Sequence, residues 1–339
     1  MIKGYTRILV CCPGSVITGG PELLHQLVHE LRTLGHDAYI TYYPFNQQWN
    51  QPIEYTVYDA PQIPFSDIHG QLIVIPETAT WISRRVNYAD LAIWWLSVDN
   101  YYERSKESKI IDIYRHVKGY IKPRDLSARK APIWRLRKHI HFYQSEYANR
   151  FLQSKNIKGL PLTDYIRTSQ SPCAERGYND PKDNIICYNP KKGIKKTSRL
   201  IRAYPHFRFI PIVGLSTEQV QMLLCKAKIY IDFGHHPGKD RLPREAAIAG
   251  CCVITGRQGS AGNDIDVSLP QRYKLDDSST SSYIAMFGNL ASSIFDNYVE
   301  HSSELKHYRR YIEKEYSLFR KQVVEIFGQC HELVRHDIG

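Results

Sequence analysis

Residues 229–255 read IYIDFGHHPGKDRLPREAAIAGCCVIT. Two short apolar runs, Ile229–Phe233 and Cys251–Thr255, enclose a charged loop and an alanine-rich segment that ends at Gly250. This order predicts a strand, a loop, a helix, a small-residue turn and a second strand. The loop supplies two histidines, a lysine and two arginines around the start of the helix, where free N–H groups and the helix dipole favour negative charge. We therefore expect an anionic ligand that carries phosphate.

A similar unit opens the chain. Arg7–Cys12 is a continuous apolar run that predicts a buried strand, and a Gly19-Gly20 loop then leads into a helix at Pro21. The next strand is predicted at Ala38–Tyr43, so the unit is β-α-β and favours a parallel sheet. Further strands are predicted at Leu72–Pro76, Leu91–Leu96, His139–Gln144, Asn184–Tyr188, Phe207–Val213, Lys228–Phe233 and Cys251–Thr255. Further helices are predicted at Ser145–Ser154, Thr197–Tyr204, Thr217–Ala227, Tyr283–Tyr298 and Ser303–Val334.

The predicted fold class is α/β, with two Rossmann-like domains that contain parallel sheets and a helical C-terminal segment. We expect the first domain to span residues 1–160, and a Pro- and Ser-rich linker to span 161–183. The second domain is predicted at 184–310. Residues 311–339 are predicted to form a helix that packs back on the first domain.

Composition narrows the class of protein. The chain has 339 residues, of which 42% are hydrophobic, so two ordinary cores can form. No apolar run approaches the roughly 20 residues of a membrane span, and the N terminus lacks a signal-peptide pattern. Five of the eight cysteines lie in strand-like runs and none forms a Cys-x-x-Cys pair, so we expect reduced thiols, no zinc site and a cytoplasmic protein.

The net charge of +11 is concentrated in one region. Residues 104–138 contain twelve Lys or Arg against three acids, a net charge of +9. Four interpretations stay open for this basic run: a solvated helix face, an anionic membrane or lipid-linked acceptor, an acidic protein, and nucleic acid. No recognised nucleic-acid motif accompanies the charge, so no nucleic-acid partner is expected. A membrane partner would place the protein at the inner face of the membrane.

Several stretches, in their order along the chain, resemble the GT-B glycosyltransferases over about residues 5–275. Glycosyltransferase family four typically has a Glu eight residues before the Glu that corresponds to Glu245, and this chain has Pro237 there. The resemblance therefore implies a GT-B enzyme outside the commonest pattern and leaves the stereochemistry of transfer open. The stretches that carry it are Gly19-Gly20-Pro21-Glu22, His141-Phe142-Tyr143-Gln144-Ser145-Glu146, Asn189-Pro190-Lys191-Lys192-Gly193 and Arg244-Glu245-Ala246-Ala247.

The resemblance implies transfer of a sugar from a nucleotide-sugar donor to a glycan or lipid-linked acceptor. It places the acceptor at the first domain and the donor at the second. Such enzymes stabilise the leaving diphosphate with cationic side chains and helix N termini, so no metal and no cofactor are expected. Glu245 is expected to accept hydrogen bonds from the donor ribose. The other expected donor-binding residues are Gly19, Gly20, Lys191, Lys192, His235, His236 and Arg244, and the expected catalytic residues are Glu77, Asp99, Lys239 and Arg241.

Glu77 and Asp99 are the proposed bases because each follows a predicted strand, where open α/β sheets place their ligands. A base is required only if the reaction inverts the sugar stereochemistry. Three other functions stay open: a nucleotide-sugar epimerase of the same architecture, a non-catalytic nucleotide- or glycan-binding protein, and a nucleic-acid-binding protein. Hydrolysis of the donor would separate the enzymes from the binding protein, and salt-sensitive binding would indicate the last.

Overall fold

The computed structural model describes residue 2 and residues 4–102, 130–167, 181–276 and 280–329. The chain divides into two compact units. The first comprises Met1–Gln144, Ala148–Asp164 and Ser317–Gly339, and the second comprises Ser145–Tyr147 and Tyr165–Tyr316. Within the described ranges, no helix has the length and apolar character that a membrane crossing requires.

The first unit is built on a six-stranded parallel sheet, in the order β2-β1-β3-β4-β5-β6. Every residue of the central strand β3 is buried, as its unbroken apolar sequence predicts. Leu23, Leu27 and Leu31 bury one face of helix α1, which connects β1 to β2. The elements are β1 (Arg7–Pro13), α1 (Gly19–Thr33), β2 (Ala38–Tyr43), β3 (Gln71–Pro76), β4 (Asp90–Trp95), α2 (Ile133–Leu136), β5 (Ile140–Tyr143), α3 (Glu146–Ser154) and β6 (Leu160–Pro161).

The second unit contains a four-stranded parallel sheet, in the order β10-β9-β7-β8. Its core combines the strand residues with apolar side chains of the C-terminal helices, among them Phe287 and Ile312. Gly250 has φ 88°, a conformation that glycine adopts without strain, and it turns the chain from helix α6 into β10. The elements are β7 (Asp183–Tyr188), α4 (Ile194–Ala203), β8 (Arg208–Pro211), α5 (Thr217–Lys226), β9 (Ala227–Asp232), α6 (Arg241–Ile248), β10 (Cys252–Thr255), α7 (Thr280–Asp296), α8 (Tyr298–Glu304), α9 (Lys306–Glu313) and α10 (Glu315–Phe327).

The predicted fold class is confirmed, since both sheets are parallel and alternate with helices, and three details differ. Strand β6 lies at the start of the predicted linker. The long helix predicted from Ser303 is three helices, and its residues divide between the two units after Tyr316. Cys225 is disulfide-bonded, so the expectation of reduced cysteines is wrong there. The free cysteines of the described chain are all buried, and they are Cys11, Cys12, Cys187, Cys251 and Cys252.

Candidate functional site in the second unit

The loops that follow the neighbouring strands β7 and β9 lie against each other. Gly193 has φ 60°, and a Cβ atom on it would lie 2.6 Å from the backbone N of Gly234. A Cβ atom on Gly234 would in turn lie 2.7 Å from Cβ of Lys192. Glycine at both positions therefore lets the two loops meet at the carboxyl edge of the sheet, where ligands of open α/β folds bind.

Two helices begin at these loops, and their first N–H groups have no side-chain cap. Helix α4 begins after Gly193, which has no side chain to offer. Helix α6 begins after Asp240, a residue type that usually caps a helix, but its carboxylate accepts no hydrogen bond from the first turn. Uncapped N–H groups and the positive ends of two helix dipoles suit an anionic ligand.

Instead of capping helix α6, the carboxylate of Asp240 binds the side chains of Lys192 and His236. Lys192 Nζ donates to its Oδ2 at 2.5 Å, and Nδ1 of His236 lies 3.1 Å from the same oxygen. The other ring nitrogen of His236, Nε2, lies 3.6 Å from Oδ1 of Asp232. The imidazole of His236 is buried between two carboxylates, one on each nitrogen.

Burial lowers the pKa of His236, but the interaction with Asp232 and the charge of Asp240 outweigh burial and raise the pKa above 6.5. For Asp232, burial raises the pKa, and the interaction with His236, the charge of Lys192 and the Gly234 N–H outweigh it and lower the pKa. The side chain of His236 is therefore stabilised as an imidazolium between the carboxylates of Asp232 and Asp240.

Asp232, His236 and Asp240 each offer one ligand atom, and these atoms lie within 4.8 Å of one another. That spacing suits a metal ion, but the orientation does not favour one. The two ring nitrogens of His236 face different carboxylates, and an imidazole binds one metal through a single nitrogen. Lys192 already supplies a cation to Asp240. The arrangement is better described as a network of ion pairs.

Lys239 and Arg244 are buried and share one acid. Lys239 Nζ lies 2.7 Å from Oε1 of Glu315, and Arg244 Nη1 donates to Oε2 of Glu315 at 2.6 Å. Arg244 also donates from Nη2 to the carbonyl of Lys239 at 3.0 Å and from Nε to the carbonyl of Asp240 at 3.2 Å. In this structure both cations hold the loop before α6 in place, whereas the sequence predicts that they contact the donor.

The remaining predicted donor residues are more accessible. Arg241 donates from Nε to Oε1 of Glu245, one turn along α6, and 37% of its side chain is exposed. His235 is exposed, and its ring lies 6.0 Å from that of Tyr147. Lys191 is exposed, and its backbone N–H donates to Oδ1 of Asn189 at 3.0 Å. Among the lysines and arginines predicted to bind the donor, the accessible ones are thus Lys191, Lys192 and Arg241.

In the first unit, Gly19 and Gly20 form the first two residues of α1. A Cβ atom on Gly19 would meet nothing within 4 Å, and one on Gly20 would lie 3.9 Å from Leu96 Cδ1. Packing within the protein therefore does not require glycine at either position. Open space beside a helix N terminus leaves room for a ligand to approach the backbone.

Glu77 and Asp99 differ in accessibility. Glu77 directly follows β3 and is buried, and the N–H of Leu96 donates to its Oε2 at 3.0 Å. Burial raises the pKa of Glu77 to about 7, although the N–H groups of Leu96 and Ser97 lower it. Asp99 is half-buried in the helical turn of residues 98–102, just after the segment that Glu77 holds.

Sequence patterns alone do not reveal three residues of the second unit that organise this site. Asp232 ends a strand and reads as an ordinary acid, and Asp240 reads as an ordinary helix cap. Glu315 lies 71 positions after Arg244 and carries no motif. The alternation of acid and base in Asp232-x3-His236-x3-Asp240 is the one signal that could have suggested the ion-pair network.

No protein-family model and no curated protein matches the sequence. Solved structures do match over nearly the whole chain. HepE of Anabaena in complex with UDP-glucose is 8% identical, with a TM-score of 0.58 over 94% of this chain and 98% of that one. Sucrose-phosphate synthase of Thermosynechococcus elongatus is 12% identical, with a TM-score of 0.61 over 94% and 98%. WaaG, a glycosyltransferase involved in lipopolysaccharide biosynthesis, is 12% identical, with a TM-score of 0.57 over 95% and 100%. The fold of this chain is therefore that of the GT-B glycosyltransferases.

Proposed function

We propose that this protein is a glycosyltransferase that moves a sugar from a nucleotide-sugar donor to a glycan or lipid-linked acceptor. The observation that carries the proposal is the pair of uncapped helix N termini, α4 and α6, at the ends of neighbouring strands with Lys192 beside them. A diphosphate is the anion that two helix dipoles and a lysine suit best. The likeness to HepE, whose structure contains UDP-glucose, supports the same assignment.

Lys192 and Arg241 are the proposed groups that stabilise the leaving diphosphate. In the structure each is paired with an acid: Lys192 with Asp240 of the loop after β9, and Arg241 with Glu245 one turn along α6. A diphosphate carries more negative charge than a carboxylate, so it can replace the acid at each cation. Once Arg241 binds the diphosphate, the carboxylate of Glu245 can accept hydrogen bonds from the ribose hydroxyls. Because cations and helix N termini supply the charge, the reaction needs no metal.

The loop before α6 must stay rigid for this exchange to work. Preorganised charges stabilise a leaving group without the cost of reorganisation. Lys239 and Arg244 provide that rigidity through Glu315, and the carbonyls of Lys239 and Asp240 are held by Arg244. We therefore assign Lys239 and Arg244 to positioning, and His236 to linking the end of β9 with the start of α6.

The first unit is the proposed acceptor side. Gly19 and Gly20 leave space for a sugar or phosphate group to approach the backbone at the start of α1. Glu77 holds the backbone of Leu96 and Ser97, and this segment leads to Asp99. In an inverting transfer, Asp99 is the more accessible of the two acids and would accept the proton of the acceptor hydroxyl.

We also propose that the basic run, residues 104–138, binds an anionic membrane. The structure describes only residues 130–138 of this run, and the proposal rests on them. Trp134 is 64% exposed, and the guanidinium of Arg135 lies 4.9 Å from the centre of its ring. Arg137 and Lys138 are also exposed. An exposed tryptophan beside cations suits the interface of an anionic membrane. Trp134→Ala and a charge-reversed variant, Arg137→Glu with Lys138→Glu, should both reduce sedimentation with phosphatidylglycerol vesicles but not with phosphatidylcholine vesicles.

A screen of nucleotides tests the main proposal. UDP, GDP, dTDP, ADP and CMP are added to the purified protein, and the melting temperature is followed, since a bound ligand raises stability by mass action. The sugar conjugates of the nucleotide that stabilises the protein are then tested for slow hydrolysis. We expect one nucleotide to bind and one of its sugar conjugates to be hydrolysed. Binding without any turnover would indicate a non-catalytic binding protein, and interconversion of donor sugars would indicate an epimerase.

A further inference from the structure

An aromatic platform lies at the carboxyl end of β2 and beside the 3-10 helix Glu77–Arg84. We define the aromatic platform as Tyr43, Phe45, Phe65 and Trp81. All four rings are half-buried, so none belongs to the buried core of the first unit. Each ring keeps part of its surface accessible to solvent, so the four together offer aromatic surface to a ligand.

The rings form one continuous surface. Phe45 and Phe65 are stacked, with ring centres 4.3 Å apart and an interplanar angle of 27°. Trp81 lies 5.9 Å from Phe45 and 5.9 Å from Tyr43, the second contact being edge-on. The platform combines residues from three distant parts of the sequence, and so no local motif reveals it.

The positively charged side chain of Arg85 contacts the platform. The guanidinium of Arg85 lies 5.3 Å from the ring centre of Trp81 and 5.8 Å from that of Phe45. Arg85 is exposed, and the salt bridges of the described chain give it no acidic partner. A guanidinium in contact with aromatic rings retains N–H groups that can bind a carboxylate or a phosphate.

The platform also lies close to the proposed acceptor side. Trp81 is in the same short helix as Glu77, which contacts the backbone of Leu96 before Asp99. The platform therefore belongs to the same unit as the acids proposed for the acceptor side.

We propose that the aromatic platform binds an acidic sugar residue of the acceptor glycan. The inference rests on the proposed glycosyl transfer. The electron-rich faces of the rings attract the slightly positive C–H groups on one face of a pyranose. Arg85 pairs with the carboxylate or phosphate that the sugar carries, and a neutral sugar would leave this charge unused. The platform thus favours charged over neutral acceptors.

Calorimetric titration of the full chain with tetragalacturonate, and with its methyl ester as the uncharged match, tests this proposal. We expect the acid to bind at least about fivefold more tightly than the ester, and Arg85→Gln to abolish that difference. Trp81→Leu should weaken both ligands, since it keeps an apolar volume but removes the ring. Phe65→Leu is the second platform variant if Trp81→Leu lowers the melting temperature.

Equal affinity for the acid and the ester, no binding of either, or an Arg85→Gln effect on both alike would overturn the platform proposal. Nucleotide binding is measured on the same samples. Nucleotide binding without saccharide binding would contradict the platform proposal but not the proposed function. Saccharide binding without any nucleotide binding would support the platform and contradict the proposed function.

Discussion

The ammonium Nζ of Lys192 lies 2.5 Å from Oδ2 of Asp240, the residue immediately before helix α6. This pair joins the loop after β7 to the loop after β9 at the place where we propose that the diphosphate binds. An acid that holds the lysine in the free protein keeps it ordered and ready for exchange. It also ties nucleotide affinity to a defined competitor within the chain.

Replacing Lys192 with Met should weaken binding of the stabilising nucleoside diphosphate by roughly 10- to 100-fold, the usual worth of a charged hydrogen bond. Titration calorimetry measures the effect. Lys191→Met is the matched control, because it removes the same charge from an exposed neighbour. Equal losses in the two variants would mean that only the general positive field of this loop matters.

Gly20→Ala separates function from stability. A Cβ atom at Gly20 makes only an ordinary contact with Leu96, and a glycine-to-alanine change at a compatible site stabilises a protein by about 0.4–1 kcal/mol. We expect an unchanged or higher melting temperature and a roughly tenfold or larger drop in turnover. Normal turnover in a stable Gly20→Ala variant would show that no ligand approaches the backbone there.

Part of the fold, and less of the site, follows from the sequence alone. Continuous apolar runs such as that of β3 predict the strands of both sheets, because buried parallel strands require them. A run of basic residues predicts an anion-binding site, but it does not predict which of the basic side chains contact the ligand. Lys239 and Arg244 belong to the right loop, yet their acid, Glu315, comes from a distant helix. Partners of that kind depend on tertiary packing, which a linear pattern does not record.

Glu315→Gln should destabilise the protein severely. The change removes the negative charge that Lys239 and Arg244 share, and breaking a buried ion pair of this kind costs about 3–5 kcal/mol. Urea denaturation measures the loss. Lys239→Met keeps the pair between Arg244 and Glu315, so we expect a smaller loss of stability. If Lys239 instead touched the leaving phosphate, Lys239→Met would abolish nucleotide binding at unchanged stability.

His236 should make stability depend on pH. The pKa of His236 is raised in the folded protein, so its contribution to stability is complete below about pH 6.5 and is lost as the pH rises through the folded pKa. Melting temperatures between pH 6 and 9 should therefore fall in the wild type and change less in His236→Gln. His235→Gln is the control, since that histidine is exposed. If His236→Gln had the same pH profile of melting temperature as the wild type, a charged His236 would not contribute to stability.

Glu77 should also make stability fall as the pH rises, but over a lower pH interval. Burial raises its pKa from 4.5 to about 7, so the folded protein retains a proton that the unfolded chain has lost. Stability should fall as the pH rises across this interval, by roughly 3 kcal/mol at most. Glu77→Gln should lack that fall, whereas the exposed Glu54→Gln should retain it. Equal pH slopes in wild type and Glu77→Gln would contradict the raised pKa.

We propose that the loops after β7 and β9 bind the diphosphate of a nucleotide sugar. The most direct test compares the affinity of the diphosphate and the monophosphate of the same nucleoside, in the wild type and in the Lys192→Met/Arg241→Met double variant. We predict that the wild type prefers the diphosphate by at least about tenfold and that the double variant loses this preference. An undiminished preference in a folded double variant would place the phosphates elsewhere and contradict the account.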